Sequence, residues 1–487
     1  MSNVRTFQFQ LMLTVKGSSV AMFFKQYYLA CLSHASYMIG DTNTGRAVVV
    51  DPQRDVQQYL ADATSNGLRI ERIFETHFHA DFLSGHLELQ KRTGADIVYG
   101  KVGAERTEFA VVAMGDGERF SLGSVTLEVL ETPGHTPESV CIVVYENADT
   151  PYGVLTGDTL FIGDVGRPDL LSAFGATAAD LGRQLYRSLH HKLMVLPDST
   201  KVYPAHGAGS ACGKNLSSET VSTIGEQRRT NYALAPMSED EFVKVVTEGQ
   251  AAAPLYFSFA AVRNRMKRDV FDEAGATRLL NVDEVLAAQK SGAVIIDTRE
   301  PNEFALGHLA GSINVGLSGR FAEFSGEVVS ADTKIVLVCP PGTENEARIR
   351  LGRIGFDSVI GALDGVEQAL IAKPQSVMQA SRLTVDQLRE RRTNVAELQL
   401  VDVRGPGEVA AGTIPGADTI QLASLVTRIG ELDPAKPTVV FCAGGYRSSI
   451  AASALRQRGF RDVSDLIGGF GAWQGAGGDV AMLETSH

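Results

Sequence analysis

The stretch ETHFHADFLSGH, residues 75–86, decides the fold of the first half of this 487-residue chain. It places His77, His79 and Asp81 at alternate positions directly after an apolar run. Imidazoles and a carboxylate at this spacing indicate a metal site at the end of a strand. A complete H-x-H-x-D-H pattern would end in another imidazole, but Phe82 stands there. Because an apolar ring cannot coordinate, we expect a metal site that lacks one ligand.

Three later motifs supply further candidate ligands. ETPGHTPES contains His135, LTGDTLF contains Asp158 and VYPAHG contains His206. Each follows an apolar, strand-like run, and loops at strand ends suit a metal site built on a rigid sheet. Four such motifs in order are far stronger evidence than isolated histidines. They predict one metal-binding domain of short strands over residues 22–270.

This set of motifs resembles the metallo-β-lactamase superfamily, in the branch that contains glyoxalase II and the persulfide dioxygenases. The resemblance implies an αββα sandwich. By resemblance to the dioxygenases, a single Fe(II) would be held by His77, His135 and Asp158, a triad that leaves positions open for substrate and dioxygen. The neighbouring polar groups would then orient ligands or bound water; these groups are His79, Asp81 and His206.

Hydrolases of the same branch bind two metal ions, and their second site needs the imidazole that Phe82 replaces. Without it, only Asp81, Asp158 and His206 remain for a second ion. We therefore expect one metal ion per chain. The dioxygenases of animals and plants commonly keep a histidine at this position without a second metal, so Phe82 supports the mononuclear interpretation but does not create it.

Two further groups lie close in sequence to the candidate ligands. Arg167 and Asp169, in GDTLFIGDVGRPDL, are interpreted as an ion pair that braces the loop, with contact between Arg167 and substrate as the alternative. Cys212, in GAGSACGK, follows His206. It is interpreted as a packed small residue, with a sulfur relay or redox-sensitive thiol as the alternative.

The last third of the chain contains a repeat. The segment from Leu279 finds its counterpart in the segment from Arg382, and matching landmarks such as Cys339 and Cys442 keep a nearly constant offset. Each copy alternates apolar β-rich runs with helix-patterned stretches, which is typical of a parallel sheet flanked by helices. We predict two small α/β domains, at residues 278–375 and 380–487.

The second copy contains VVFCAGGYRSSIAASAL, in which a strand ends at Cys442 and a six-residue loop reaches Arg447 before a helix begins. This resembles the active-site loop of the rhodaneses, C-x-x-G-x-R. A tight loop can turn N–H groups towards the sulfur, and the helix N-terminus and the arginine add positive potential. These features favour a thiolate, and then a persulfide, at Cys442.

The first copy has VLVCPPGTENEARI at the matching place. Pro340 and Pro341 have no N–H to offer, and Glu344 stands where the second copy has Arg447. Both changes disfavour a thiolate. We predict that Cys339 is a poor sulfur acceptor and that this domain is mainly a scaffold or docking surface.

Composition excludes some classes of protein. The net charge of −12 opposes nucleic-acid binding, and no apolar run approaches the length that spans a bilayer. Five cysteines without a C-x-x-C pair indicate a reducing compartment, which we interpret as the cytoplasm. Residues 1–21 are predicted to be a disordered extension. We also expect a homo-oligomer.

The whole chain resembles the fusions of a persulfide dioxygenase with rhodanese domains. The resemblance implies oxidation of a thiol persulfide, of glutathione or coenzyme A type, by dioxygen to sulfite, and sulfur transfer through Cys442 that yields thiosulfate. A glutathione thioester hydrolase with two Zn(II) ions is the principal alternative. A persulfide-sensing or sulfur-carrier protein with an inactive metal domain is a further, non-enzymatic alternative.

Overall fold

The computed structural model describes residues 21–147, 150–170 and 176–482. The chain divides into two compact units. The first runs to Gln250 and also takes in Phe257–Phe271, and the second contains Ala251–Tyr256 and the chain from Asp272 onwards. The extension predicted for residues 1–21 lies, except for Ala21, outside the described residues.

The strands of the first unit form two six-stranded sheets in which neighbours in space are neighbours in sequence. The first sheet contains β1 (Met22–Leu29), β2 (His34–Asp41), β3 (Arg46–Val50), β4 (Arg69–Phe74), β5 (Asp96–Gly100) and β6 (Val112–Met114). The second contains β7 (Arg119–Ser121), β8 (Thr126–Glu131), β9 (Val140–Tyr145), β10 (Pro151–Gly157), β11 (Lys201–Pro204) and β12 (Ser222–Thr223). Both sheets mix parallel and antiparallel pairs.

Helices of this unit follow the strands in chain order. They are α1 (Gln57–Ser65), α2 (His86–Thr93), α3 (Lys101–Ala104), α4 (Ala178–Ser188), α5 (Ile224–Thr230), α6 (Glu239–Thr247) and α7 (Tyr256–Arg263).

Alternation of side chains along the strands builds the layers. On β3, Val48 and Val50 face the core between the two sheets, while Ala47 and Val49 face the outer side, where α1 and α2 pack. A third core covers the outer side of the second sheet beneath α4 and α6, with Leu185 among its members. The unit is therefore a four-layer αββα sandwich, as the resemblance implied.

The second unit contains two five-stranded sheets and a two-stranded one. The first repeat comprises β13 (Leu279–Leu280), α8 (Val282–Lys290), β14 (Val294–Asp297), α9 (Pro301–Leu306), β15 (His308–Leu309), β16 (Ile313–Asn314), α10 (Phe321–Val328), β17 (Ile335–Val338), α11 (Glu344–Arg353), β18 (Val359–Leu363), α12 (Val366–Ala372) and β19 (Val377–Met378).

The second repeat comprises β20 (Ser381–Leu383), α13 (Val385–Asn394), β21 (Gln399–Asp402), α14 (Pro406–Ala410), β22 (Asp418–Thr419), α15 (Leu422–Leu425), β23 (Thr438–Phe441), α16 (Tyr446–Gln457), β24 (Val463–Leu466) and α17 (Gly469–Gly475). The two sheets have orders β13-β18-β17-β14-β16 and β20-β24-β23-β21-β22. These orders match strand for strand, and all pairs within them are parallel.

No helix among the described residues is both long enough and apolar enough to cross a lipid bilayer.

Candidate metal centre and sulfur-transfer loop

The predicted metal ligands lie on loops that follow strand ends of the first unit. His77, His79 and Asp81 follow β4, His135 lies between β8 and β9, Asp158 follows β10 and His206 follows β11. All six side chains are buried. The structure therefore brings together groups that are up to 129 positions apart in the sequence.

Hydrogen bonds fix which ring nitrogen of each histidine faces the centre. His135 Nδ1 lies 2.9 Å from the carbonyl oxygen of Arg167, which can only accept, so Nδ1 carries the proton. His77 Nδ1 lies 3.0 Å from Thr76 Oγ1. That hydroxyl donates to Asp51 at 2.8 Å, so it accepts from His77. The Nε2 atoms of both imidazoles therefore present lone pairs.

These lone pairs converge on one carboxylate. Asp158 Oδ2 lies 3.8 Å from His77 Nε2 and 3.4 Å from His135 Nε2, and the three ligand atoms lie within 4.8 Å of one another. Burial lowers the pKa of His77 well below its usual range and that of His135 to about 4. Two neutral imidazoles and a carboxylate thus direct lone pairs at one space, and no hydrogen-bond donor among them satisfies these lone pairs. A metal ion bound in that space would do so.

A second group lies beside the first and shares Asp158. His206 Nδ1 donates to the carbonyl oxygen of Ser33 at 3.2 Å, so Nε2 offers its lone pair to the site. This Nε2 lies 3.4 Å from Asp81 Oδ2 and 3.4 Å from Asp158 Oδ1. His79 also lies with Asp81 and His206 in a group whose ligand atoms are all within 4.8 Å of one another, so this is a second candidate group.

Phe82 fills the place beside that second group. Its side chain is fully buried, and its ring centroid lies 4.0 Å from that of His34 and 4.3 Å from that of His79. An apolar ring packed against two buried histidines thus stands at the motif position of the missing imidazole.

His79 is also held by two carboxylates. Its Nε2 lies 3.1 Å from Asp51 Oδ1 and 3.4 Å from Glu75 Oε2. Burial by itself would lower the pKa of His79, but Asp51 and Glu75 raise it well above the usual range. His79 is therefore positioned to orient the ligand loop, whereas His77 and His135 supply the lone pairs.

Arg167 and Cys212 connect the loops around the centre. The Arg167 guanidinium binds Asp169 in a bidentate pair at 2.8 and 2.6 Å and donates to the carbonyl oxygen of Ala211. Its backbone N–H donates to the carbonyl oxygen of Cys212 at 3.0 Å. Burial, with Asp158 nearby, raises the pKa of the Cys212 thiol well above its usual range. The Cys212 sulfur lies among the ligand atoms of Asp158 and His206, closer to the centre than its place in the sequence suggested.

Asn264, which directly follows α7, was not foreseen from the sequence. Its Nδ2 donates to the carbonyl oxygens of His79 and Phe82 at 2.8 and 2.9 Å, and its Oδ1 accepts from the N–H of Ser84 at 2.8 Å. One buried amide thus closes the ligand loop. No motif surrounds Asn264, so local sequence offered no signal for it.

In the second unit, Cys442 follows β23 and is buried. The N–H of Gly445 donates to its sulfur at 3.1 Å, and Gly445 has a φ of 100° immediately before α16 begins. Arg447 is bound by Glu408 in a bidentate pair at 2.6 and 2.7 Å. Glu408 was not foreseen from the sequence, and it offsets part of the charge that Arg447 brings to the loop.

The corresponding loop of the first repeat provides a different environment. Cys339 is buried, and burial, with Glu344 contributing, raises the pKa of its thiol to about 12. The helix that follows begins at Glu344, so the first side chain of α11 is acidic.

Comparison with known proteins gives two family matches. The model of the metallo-beta-lactamase superfamily matches residues 29–206, and that of the rhodanese-like domain matches twice, at residues 281–367 and 384–476. The predicted sandwich and the tandem α/β repeat are thereby confirmed.

Individual relatives agree with these matches. The mitochondrial persulfide dioxygenase ETHE1 of Bos taurus is 30% identical over 51% of this chain and 89% of its own length. A hydroxyacylglutathione hydrolase of Methylococcus capsulatus is 34% identical over 35% of this chain and 60% of its own. The crystal structure of a metallo-beta-lactamase from Staphylococcus aureus is 31% identical with a TM-score of 0.64, and the match covers 70% of this chain and 99% of that one.

Proposed function

Since this chain belongs to the metallo-beta-lactamase superfamily as a relative of the persulfide dioxygenases, and carries two rhodanese-like domains, we propose that it oxidises a low-molecular-weight thiol persulfide and transfers sulfur through Cys442. One Fe(II) per chain would be held by His77, His135 and Asp158. The thiol carrier is of the glutathione or coenzyme A type, and the compartment is the cytoplasm.

The observation that supports this proposal most strongly is the convergence of two imidazoles and a carboxylate on one space. His77 and His135 point unprotonated nitrogens at Asp158, as a mononuclear site requires. Two imidazoles and one carboxylate leave coordination positions open, which is typical of Fe(II) sites that use dioxygen. When bound, the Fe(II) ion supplies a place where the persulfide and dioxygen meet.

The residues around the ligands have separate tasks. The carbonyl oxygen of Arg167 and the hydroxyl of Thr76 fix the tautomers of the two histidines. Asn264 holds the loop that carries His77.

In the proposed reaction, one persulfide, one dioxygen and one water give one thiol, one sulfite and two protons. The terminal sulfur of the persulfide supplies the electrons that reduce dioxygen.

The second reaction uses the loop of the second repeat. Cys442 takes a sulfane sulfur from a persulfide and passes it to sulfite, which forms thiosulfate. The N–H of Gly445 lies 3.1 Å from the sulfur that carries the charge. The sulfite formed in the first unit is a substrate for the second reaction, which gives a chemical reason for both activities to lie on one chain.

A hydrolase with two Zn(II) ions is favoured by one observation, the group of Asp81, Asp158 and His206 beside the first site. Phe82 opposes it, because the ring leaves this group one imidazole short. The dioxygenase predicts one iron ion per chain, whereas the hydrolase predicts two zinc ions per chain.

The deciding experiment measures dioxygen uptake by the Fe(II)-loaded protein after addition of glutathione persulfide, with sulfite and thiosulfate quantified and metal content determined. We expect uptake with one iron per chain. Dioxygen uptake with coenzyme A persulfide but not with glutathione persulfide would identify coenzyme A as the thiol carrier. Absence of uptake with both persulfides, together with hydrolysis of a glutathione thioester, would establish the hydrolase instead.

A further inference from the structure

The two repeats of the second unit meet at the sulfur-transfer loop, through the side chain of Tyr446. Its hydroxyl donates a hydrogen bond to the carbonyl oxygen of Gly316 in the first repeat. Its ring lies 5.6 Å from the ring of Phe324 on α10, in an edge-to-face arrangement. Tyr446 directly follows Gly445, whose N–H donates to the Cys442 sulfur. The loop is therefore anchored to a repeat other than its own.

Two glycines of the first repeat make room for this ring. A Cβ atom added at Gly319 would lie 2.6 Å from Cζ of Tyr446, and one added at Gly316 would lie 3.1 Å from Cε2. The first distance is far shorter than a carbon–carbon contact, so the ring would have to move. The corresponding positions of the second repeat, counted from the ends of β16 and β22, carry the side chains of Gln421 and Ser424. The glycine-lined groove therefore belongs to the first repeat.

Buried hydrogen bonds hold the helix that begins at Tyr446 against the same repeat. Ser449 Oγ donates to Asn314 Oδ1 at 2.7 Å, and the N–H of Asn314 donates to Ser453 Oγ at 2.9 Å. The side chains of these three residues are buried. Because residues three and four apart share one face of a helix, Tyr446 lies on the same face as Ser449 and Ser453. From its first residue onwards, α16 thus presents one face to the first repeat.

The sulfur-transfer loop is fixed on each side by a different repeat. Two N–H groups in the first turn of α17 donate to the carbonyl oxygens of Cys442 and Ala443 at 2.7 and 3.0 Å. These bonds hold the part of the loop that follows β23. Gly445, with a φ of 100°, lies at the other side, next to Tyr446. The direction of the Gly445 N–H therefore depends on where Tyr446 is held.

We infer that the first repeat positions the sulfur-transfer loop, because its groove holds Tyr446 and so keeps the N–H of Gly445 directed at the Cys442 sulfur. Gly316 and Gly319 are positioning residues in this sense. The inference rests on the proposed sulfur transfer, and it names the first repeat as the partner of the loop that performs it. The scaffold role predicted from the sequence thereby gains a specific object.

The corresponding residue in the loop of the first repeat makes a different contact. Thr343 follows Cys339 at the same spacing as Tyr446 follows Cys442. Its hydroxyl donates to the carbonyl oxygen of Pro340 at 2.7 Å, within its own loop. The anchoring is therefore asymmetric, since the first repeat supports the loop of the second.

The step that this anchor supports is a displacement. The lone pair of an acceptor, such as sulfite or cyanide, attacks the outer sulfur of the Cys442 persulfide, and the S–S bond breaks. Its electron pair stays on the Cys442 sulfur, so the N–H of Gly445 faces a negative charge that grows during the step. No external oxidant, reductant or proton is needed. Displacing this N–H should therefore slow the discharge of the persulfide.

Gly319→Ala in the full chain tests the inference, because the three atoms nearest to the added Cβ all belong to Tyr446. Thiosulfate loads Cys442, whose thiolate takes the outer sulfur and releases sulfite, and discharge by cyanide is then followed in a single turnover. We expect the rate constant of discharge to fall about tenfold. Gly307→Ala is the matched control in the same repeat, since its Cβ would meet Val377 at an ordinary 3.6 Å. It should keep the wild-type rate.

Substitutions at Tyr446 provide a second test that adds no atom to the groove. Tyr446→Ala should slow discharge at least as much as Gly319→Ala, whereas Tyr446→Phe keeps the ring and should stay within about threefold of the wild type. Hydrogen–deuterium exchange measured on peptides shows where the structure loosens. In both slowed variants, exchange should increase at residues 443–447 and stay unchanged in β21. Discharge at the wild-type rate in Tyr446→Ala, or exchange that increases equally throughout the second unit, would overturn the inference.

The exchange measurement also separates this inference from the proposed function, because it needs no sulfur transfer. A chain whose Cys442 takes up no sulfur from thiosulfate would refute the proposed transfer, and exchange at residues 443–447 would then decide whether the first repeat holds the loop. Unchanged exchange at these residues in Gly319→Ala would overturn the anchor in either case.

Discussion

The ring of Phe82 packs against the ring of His34, with 4.0 Å between centroids, at the place where a second metal ion would need an imidazole. Neither ring nitrogen of His34 has a hydrogen-bond partner among the described residues, and burial lowers its pKa well below the usual range. The two rings therefore form a neutral wall beside Asp81 and His206. This wall makes the two halves of the metal centre unequal.

Restoring the imidazole should restore the second site. In Phe82→His, the new ring completes a group with Asp81, Asp158 and His206, so metal content should rise from one towards two ions per chain under excess Zn(II). Dioxygen uptake should fall at least tenfold, because Asp158 would then serve two ions. Phe82→Leu is the control, and it should keep one ion. Equal metal content in both variants would contradict this explanation.

Removing one imidazole of the first site should remove the metal. His135→Ala should lose most of its iron, measured by elemental analysis, and dioxygen uptake should fall more than a hundredfold. The reason is that the proposed site has only three protein ligands. His191→Ala, which changes an exposed histidine of the same unit, should retain both iron and activity. Iron retention by the His135 variant would exclude this residue as a ligand.

Asn264 should stabilise the ligand loop. Asn264→Ala leaves two carbonyl oxygens and one N–H without their buried partner, which should lower the free energy of unfolding by about 2–4 kcal/mol. Iron affinity should fall as well. Asn66→Ala removes an exposed amide with one hydrogen bond and should change stability by less than about 0.5 kcal/mol. Urea unfolding of both variants measures the difference.

The two cysteines of the repeat should differ in sulfur transfer. Cys442→Ser should abolish transfer of sulfur from thiosulfate to cyanide. Cys339→Ser should leave the rate within a factor of two, because burial, with Glu344 nearby, raises the pKa of that thiol to about 12. Loss of transfer in the Cys339 variant alone would reverse the assignment.

Glu327, a buried residue of α10, should make the free energy of unfolding depend on pH. Burial raises its folded-state pKa to about 8 from the ordinary 4.5, so the unfolded chain releases this proton at lower pH than the folded chain. Stability from this group is therefore lost as pH rises between about 4.5 and 8. The melting temperature should fall less over this range in Glu327→Gln than in the wild type. Parallel curves in differential scanning fluorimetry would argue against a raised pKa.

The sequence by itself determined the sandwich and the repeat, and it pointed to most of the candidate ligands. Three candidate ligands could be recognised because each follows an apolar strand within a short motif; they are His77, His135 and Asp158. Strand ends on one edge of a sheet lie close together in space. The sequence also predicted that Cys339 and Cys442 differ as sulfur acceptors, because the prolines and charges of a loop act on the cysteine of the same loop.

Only the tertiary structure decided which groups touch across long stretches of chain. It turned His79 towards Asp51, brought Cys212 beside Asp158, closed the ligand loop with Asn264 and laid α10 over the loop of Cys442. The physical reason is that hydrogen bonds and charge interactions depend on distance in space, whereas a motif records only distance along the chain.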